Sequence, residues 1–378
     1  MSKLLTQIDA QLSQAIDDAR RGELLAKKAG YLARIGSFDE AQALIAEIRL
    51  KFGDGRSVRV SIWVMLAEGL LHTFREMSDE GADRIMRANA LASATRDREL
   101  IASTSAWRAF TQSERSEFKG MARSLDHAFA NSDSTDHEVL ARLYMILGNA
   151  QMSIGDRVKA YEYYMLSRHH AIECGDQATI DAVIYNKAAF ALAWQRARMC
   201  FGEVDAEYLR QLRIELMSAK AYQQMVGISA LANFVQLWQA RLLMLAGEFA
   251  EAVAALRDVR PLRPFADYNY NVALVDLEIA YCLVCAEQHD AAIAEVSQSM
   301  GADLSGLHDD DKLVAAWVRT KILEALPQLG DPKLAALALD AARSEFEAGC
   351  LALREALGGL AAHPHIQKPT VVQLKAPL

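Results

Sequence analysis

The chain has 378 residues, 52% of them hydrophobic but only 7% aromatic, with 7 prolines and a formal net charge of −8. That balance suits packed Ala- and Leu-rich helices, and it excludes a general nucleic-acid binder, which needs a basic surface to displace counterions from phosphates. Five cysteines at scattered positions (174, 200, 282, 285, 350) make no disulfide framework, and Gln7 and Asp9 interrupt the first apolar run, so no secretion signal is read and a cytoplasmic location is expected.

Residues 1–20 place Leu4, Leu5, Ile8, Leu12 and Ile16 on one helical face, as a capping helix over the open end of a helical stack would. From 21 to 358 one unit recurs, a pair of helices about a tight turn, first at 23–35 and 38–51 about Gly36 and Ser37. Alignment on a small residue early in each second helix gives Ala41, Ala82, Met121, Ala160, Ala206, Ala252 and Ala292, with an eighth near Ala336. The intervals of 39 to 46 residues predict an all-α solenoid of about eight hairpins. Twelve residues before the first seven anchors stand Ala29, Leu70, Ala109, Gly148, Trp194, Ala240 and Ala280, mostly small, which lets two helices approach closely. Four residues after them stand Ile45, Met86, Leu125, Tyr164, Arg210, Leu256 and Val296, mostly large, to fill the space between hairpins.

The most membrane-like run, 228–247, carries Asn233, Gln236, Gln239 and Arg241 and reads as an amphipathic helix rather than a span. Two prolines in 260–265 end a helix, and 301–311 reads as a loop leading into a helix start. Residues 359–378 lose the helical period and hold three prolines, so a mobile tail is expected there.

The segments 147–164 and 240–256, each with a small residue in the first helix, a Gly turn and a small residue early in the second, resemble the tetratricopeptide repeat. The period is longer than that family's usual repeat, as in its MalT-like class, and the resemblance implies a right-handed superhelix whose first helices line a concave groove. Carried onto this chain, the groove positions are Arg142, Met145, Asn149 and Met152 in the fourth repeat, Gln195 and Arg198 in the fifth, Phe234, Leu237, Arg241 and Met244 in the sixth, and Leu277 and Tyr281 in the seventh.

Other clusters read as structural. Cys282 and Cys285 share a helix face but lack a second ligand pair for zinc. His308 with Asp309, Asp310 and Asp311 fits the start of a helix, where carboxylates meet the positive end of the dipole. His169 and His170 point about 100° apart on a helix and share no metal. Eight arginines at 196, 198, 210, 213, 241, 257, 260 and 263 form a basic interval, read either as solvated side chains or as an attractor for an acidic peptide or phosphate. No phosphate loop, dinucleotide fingerprint, zinc-protease or nucleophile-elbow motif occurs.

The expectation is therefore a binding protein rather than an enzyme, needing no cofactor or metal, that takes a protein or peptide in its concave groove. The alternative is a ligand- or peptide-responsive bacterial regulator: in length and repeat build the chain is similar to the peptide-sensing Rap regulators, and its repeats also look like the sensory region ahead of bacterial diguanylate cyclases, without a GGDEF-type output motif. An open groove is expected of an adaptor, and a change of shape on binding is expected of a sensor.

Overall fold

The computed structural model describes residues 2–52, 57–230, 232–262, 269–296, 298–361 and 363–367, and among them regular structure is helical throughout. After α1 (Lys3–Gln14) come eight antiparallel hairpins. The first four are α2 (Asp18–Ile35) with α3 (Phe38–Phe52), α4 (Val58–Glu76) with α5 (Asp79–Ala94), α6 (Arg98–Glu114) with α7 (Phe118–Asn131), and α8 (His137–Ser153) with α9 (Arg157–Cys174). The second four are α10 (Gln177–Met199) with α11 (Ala206–Val226), α12 (Ala232–Leu245) with α13 (Phe249–Val259), α14 (Asn269–Cys285) with α15 (His289–Val296), and α16 (Asp309–Ala325) with the long α17 (Pro332–Leu360). A short α18 (Pro364–Gln367) follows.

The turn inside each of the first seven hairpins uses one left-handed residue. Gly36, Gly155, Gly202 and Gly247 supply it at no steric cost, whereas Met77, Ser116 and Glu287 hold φ between 51° and 59° in the other three. Aspartates at 17, 97, 156, 176, 205 and 331 cap the helices that follow them by accepting a backbone N–H. Capping and turn chemistry together explain why the sequence period is visible.

Ala41, Met121, Ala160, Ala252 and Ala292 are buried early in their second helices, in register with the aligned positions. Three alignments need correction. In the second hairpin the close approach is one residue earlier: a Cβ on Gly69 would meet Ile85 Cγ1 at 2.7 Å and the Gly81 carbonyl at 3.0 Å, just as a Cβ on Gly148 would meet the Tyr164 ring at 2.7 Å in the fourth. Gly69, Gly81 and Ile85 thus take the places assigned to Leu70, Ala82 and Met86. In the fifth, residues 200–205 lengthen the turn, Ala206 is the exposed first residue of α11, and Tyr208, Leu209, Leu212 and Leu216 are the buried ones. In the eighth, Ala336 is exposed and Leu339 is the first buried residue of α17.

The coil winds far enough to touch itself. Leu4 N–H donates to the Gly175 carbonyl at 3.2 Å and Ser229 N–H to that of Ile35 at 3.1 Å, joining the first hairpin and α1 to the turns around α10 and α11. Arg343 donates to the Cys200 carbonyl at 2.6 Å and Arg354 to that of Ile154 at 3.1 Å, tying α17 back across the middle of the array. Helix α1 therefore lies against α2 and the α9–α10 turn with Ile8 buried, and it ends at Gln14, so Ile16 falls past the helix and is fully exposed instead of joining the apolar face. Tyr144 donates to the His365 carbonyl at 3.1 Å, so the residues just past 359 pack on α8, and 368–378 lie outside the described residues.

Candidate ligand-binding interior

First helices of successive hairpins pack on one another, α6 on α8, α8 on α10, α10 on α12 and α14 on α16, and the self-contacts of the coil enclose the side they share. Nine of the twelve groove positions, Arg142, Met145, Asn149, Met152, Gln195, Leu237, Arg241, Met244 and Leu277, are buried there, and Arg198, Phe234 and Tyr281 are half-buried. Met145 and Met152 pack with Tyr164, Leu192 and Leu212, while Leu237, Met244 and Leu277 belong to the largest apolar cluster. Asn149 Oδ1 accepts from the Tyr164 hydroxyl at 3.0 Å and Gln195 Oε1 from Asp205 N–H at 3.2 Å, so their oxygens are already engaged. Arg198 pairs with Glu203 and lies over the Phe201 ring, Phe234 packs against the α10 and α12 cores, and the Tyr281 ring meets Trp317 edge-on at 5.0 Å. In this conformation these side chains fill the space between hairpins instead of lining an open groove.

Two polar centres occupy the interior. The C-terminal one joins Arg196 of α10, Arg241 of α12, Glu278 of α14 and Asp311 of α16. Arg196 donates to Glu278 and, at 2.7 Å, to Asp311, and Arg241 Nε lies 3.1 Å from Glu278. Burial opposes the charge on Arg196, but Glu278 and Asp311 outweigh it and raise its pKa. Burial likewise works against Asp311, which Arg241 and Arg196 hold down at about 2, while burial and the neighbouring Asp311 push Asp310 up. His308, at the N-cap of α16, is raised because Glu114 and Asp310 outweigh burial.

The N-terminal centre holds Arg34 of α2, Arg142 of α8 and Asp176 at the N-cap of α10. Arg34 Nη1 lies 2.9 Å from Asp176 Oδ2, and Nη2 reaches Thr179 Oγ1 at 2.6 Å. Burial opposes the charge on Arg34, and Asp176 more than offsets it. Arg142 lacks such a partner: it is 2% exposed, its guanidinium carbon sits 3.6 Å from the centroid of the Trp107 ring, and its Nε and Nη2 meet no acceptor among the described residues. Burial, with repulsion from Arg34, lowers its pKa to about 9. Beside it lies a cavity of about 150 Å³ walled by α1, α2, α4, α6 and α8.

Within the basic interval Arg198, Arg213, Arg257 and Arg260 pair with Glu203, Glu248, Glu295 and Asp276, and Arg210 with Glu207, so they form no free cationic surface; Arg263 lies outside the described residues. All five cysteines are thiols, with Cys282 buried in α14. Among the described residues no group of three or more His, Cys, Asp and Glu is placed to hold a metal ion, and no helix is long and apolar enough to cross a membrane. Sequence reasoning passed over Arg34, Asp176, Trp63, Trp107 and Glu278, and it gave Asp311 only a place at a helix start, where the structure also pairs it with Arg196. One signal was available: Asp276 and Glu278 are the only charges in the apolar run of α14, and buried carboxylates demand cations.

No protein-family model matches the chain, and no curated protein matches it. Among solved structures, the fold is similar to that of a Rap protein complexed with Competence and Sporulation Factor, at a TM-score of 0.53 and 11% identity over 89% of this chain and 99% of that one. The apo form of RapI is a second neighbour, at a TM-score of 0.45 and 11% identity over 92% of this chain and 97% of that one. The first likeness establishes a helical-repeat solenoid of the same general architecture.

Proposed function

We propose that the chain is a peptide-binding helical-repeat regulator rather than an enzyme, and that its ligand enters the concave interior through the face lined by the first helices. The observation that favours a responsive regulator over an open adaptor is the self-closure of the coil through Gly175, Ser229 and α17. A ligand that reaches Met145, Arg241 or Tyr281 must part those contacts, so binding and change of shape are linked. The Rap structure captured with Competence and Sporulation Factor supports this reading, as does the long repeat of the MalT-like class. Five thiols without a disulfide suit a cytoplasmic, reducing setting.

The test is to pass the full-length protein with a pooled library of synthetic hexapeptides through gel filtration, identify retained peptides by mass spectrometry, and record X-ray scattering with and without the retained peptide. The regulator reading expects a retained peptide and a changed radius of gyration. A retained peptide that leaves the scattering curve unaltered returns the chain to the adaptor class, and the absence of any retained peptide overturns the peptide reading.

A further inference from the structure

The N-terminal cavity has open hydrogen-bonding valences of one kind only. Arg142 contributes Nε and Nη2, and Trp63, 7% exposed, contributes an indole Nε1; all three are buried donors with no acceptor among the described residues, and both side chains line the same space. Nε and Nη2 form one edge of the guanidinium, the edge that grips a carboxylate through two parallel bonds. The flat face of the group is already used by Trp107 at 3.6 Å.

Charge bookkeeping points the same way. Arg34 is matched by Asp176, and Lys27 by Glu23 and Glu99, so neither offers its charge to a ligand. Glu138 lines the cavity with its side chain exposed; its carboxylate acts on Arg34 and Arg142 through space but is outside ion-pairing distance of Arg142. What is left is one buried guanidinium edge without an acceptor, which suits a monoanion and not a doubly charged phosphate. The volume of about 150 Å³ matches a group the size of one side chain, with Leu24, Leu66 and Leu70 as apolar walls for a short stem.

We propose that this cavity is a carboxylate-binding site in which the Nε and Nη2 edge of Arg142 and the indole N–H of Trp63 hold one carboxylate group, from a peptide or from a free short-chain acid. The inference rests on the concave interior being the binding surface, and it names the chemistry recognised there. Helix α1 supplies a wall through Gln7, Ile8 and Gln11, so occupancy of the site and the docking of α1 on Gly175 are neighbours in space.

The experiment uses the full chain and four probes: N-acetyl-alanyl-alanine, its C-terminal amide and propionate, read by ligand-observed saturation-transfer NMR, and inorganic phosphate, read by its displacement of propionate in the same spectra. The dipeptide acid is expected to bind at least about tenfold more tightly than its amide, since losing a charge-assisted pair costs that much. Arg142→Met is expected to abolish acid binding while its melting temperature is unchanged or higher, and Trp63→Phe to weaken it by about threefold to tenfold through loss of one N–H. Dipeptide acid bound much more tightly than propionate identifies a peptide carboxylate as the natural group; equal binding identifies a free acid. Equal affinity for acid and amide, unimpaired binding by folded Arg142→Met, tighter binding of phosphate, or no binding of either acid overturns the site. If propionate binds but no hexapeptide is retained, the carboxylate site stands and the peptide reading falls; if a hexapeptide is retained equally by wild type and Arg142→Met, the reverse holds.

Discussion

The two halves of the interior solve one problem differently. Each brings two buried arginines to the axis of the coil, but the C-terminal half sets Glu278 and Asp311 in direct contact with Arg196 and Arg241, whereas the N-terminal half pairs Asp176 with Arg34 and leaves Arg142 without a direct partner, Glu138 acting on it only through space. A buried pair whose charges match is a joint between hairpins, because removing either partner strands the other in low dielectric. A buried charge without a match is costly to the free protein and becomes useful when a ligand supplies the missing sign. The same scaffold thus holds a clamp at one end and a socket at the other.

The largest effect that would break this contrast is expected from Glu278→Ala. It leaves Arg196 and Arg241 with Asp311 alone, and a loss of about 3–5 kcal/mol is expected in urea denaturation followed by circular dichroism. A loss near zero would mean that the C-terminal cluster is no clamp. Asp176→Asn comes next: Asn keeps the N-cap of α10 but removes the partner of Arg34, so a loss of about 3 kcal/mol is expected, with earlier proteolysis at the turn near Gly175.

Acid should separate the halves. Burial, with repulsion from His137, His169 and His365, lowers the His170 pKa to about 4, so its neutral form stabilises the fold fully above the ordinary histidine value and that contribution fades as pH falls through 6.5 toward 4. His308 is shifted upward, so its contribution is present below 6.5 and fades only as pH rises through its folded value. Hydrogen exchange at pH 5, corrected for intrinsic rates, should show α8 and α9 opening with a loss on the order of 2 kcal/mol relative to pH 7, while the start of α16 holds. Equal loosening of both would contradict the assigned shifts.

The smallest change in stability, and the one of opposite sign, is expected from Arg142→Met. Replacing an unmatched buried charge by an apolar chain of similar length should leave stability unchanged or raise it by about 1–2 kcal/mol in the same urea titration. A clear loss would show that Arg142 is a structural strut like Arg196. Measured side by side, Glu278→Ala and Arg142→Met are the sharpest form of the comparison.

Much of the scaffold was legible because the cues are local. Aspartate caps, left-handed turn residues and small residues at close helix crossings all act within one hairpin, and they mark eight hairpins along the chain. Where local cues mislead, the reason is visible: Gly81 and Ala82 are both small, so only the contact with Gly69 chooses between them, and the longer turn before α11 shifts a register that a constant offset cannot follow. Arg142 was singled out from its repeat position alone, yet its lack of a partner could not be read there.

By itself the sequence determined the all-helical class and the repeated hairpin, since these follow from periodicity and turn chemistry within some forty residues. Only the tertiary structure decided that the concave side is closed, that Glu278 finds Arg196 from 82 positions away, and that Trp63 and Arg142 share a cavity with no acceptor of their own. Those outcomes depend on how small rotations between hairpins add up along the coil, and that sum fixes which distant charges meet and which are left unmatched.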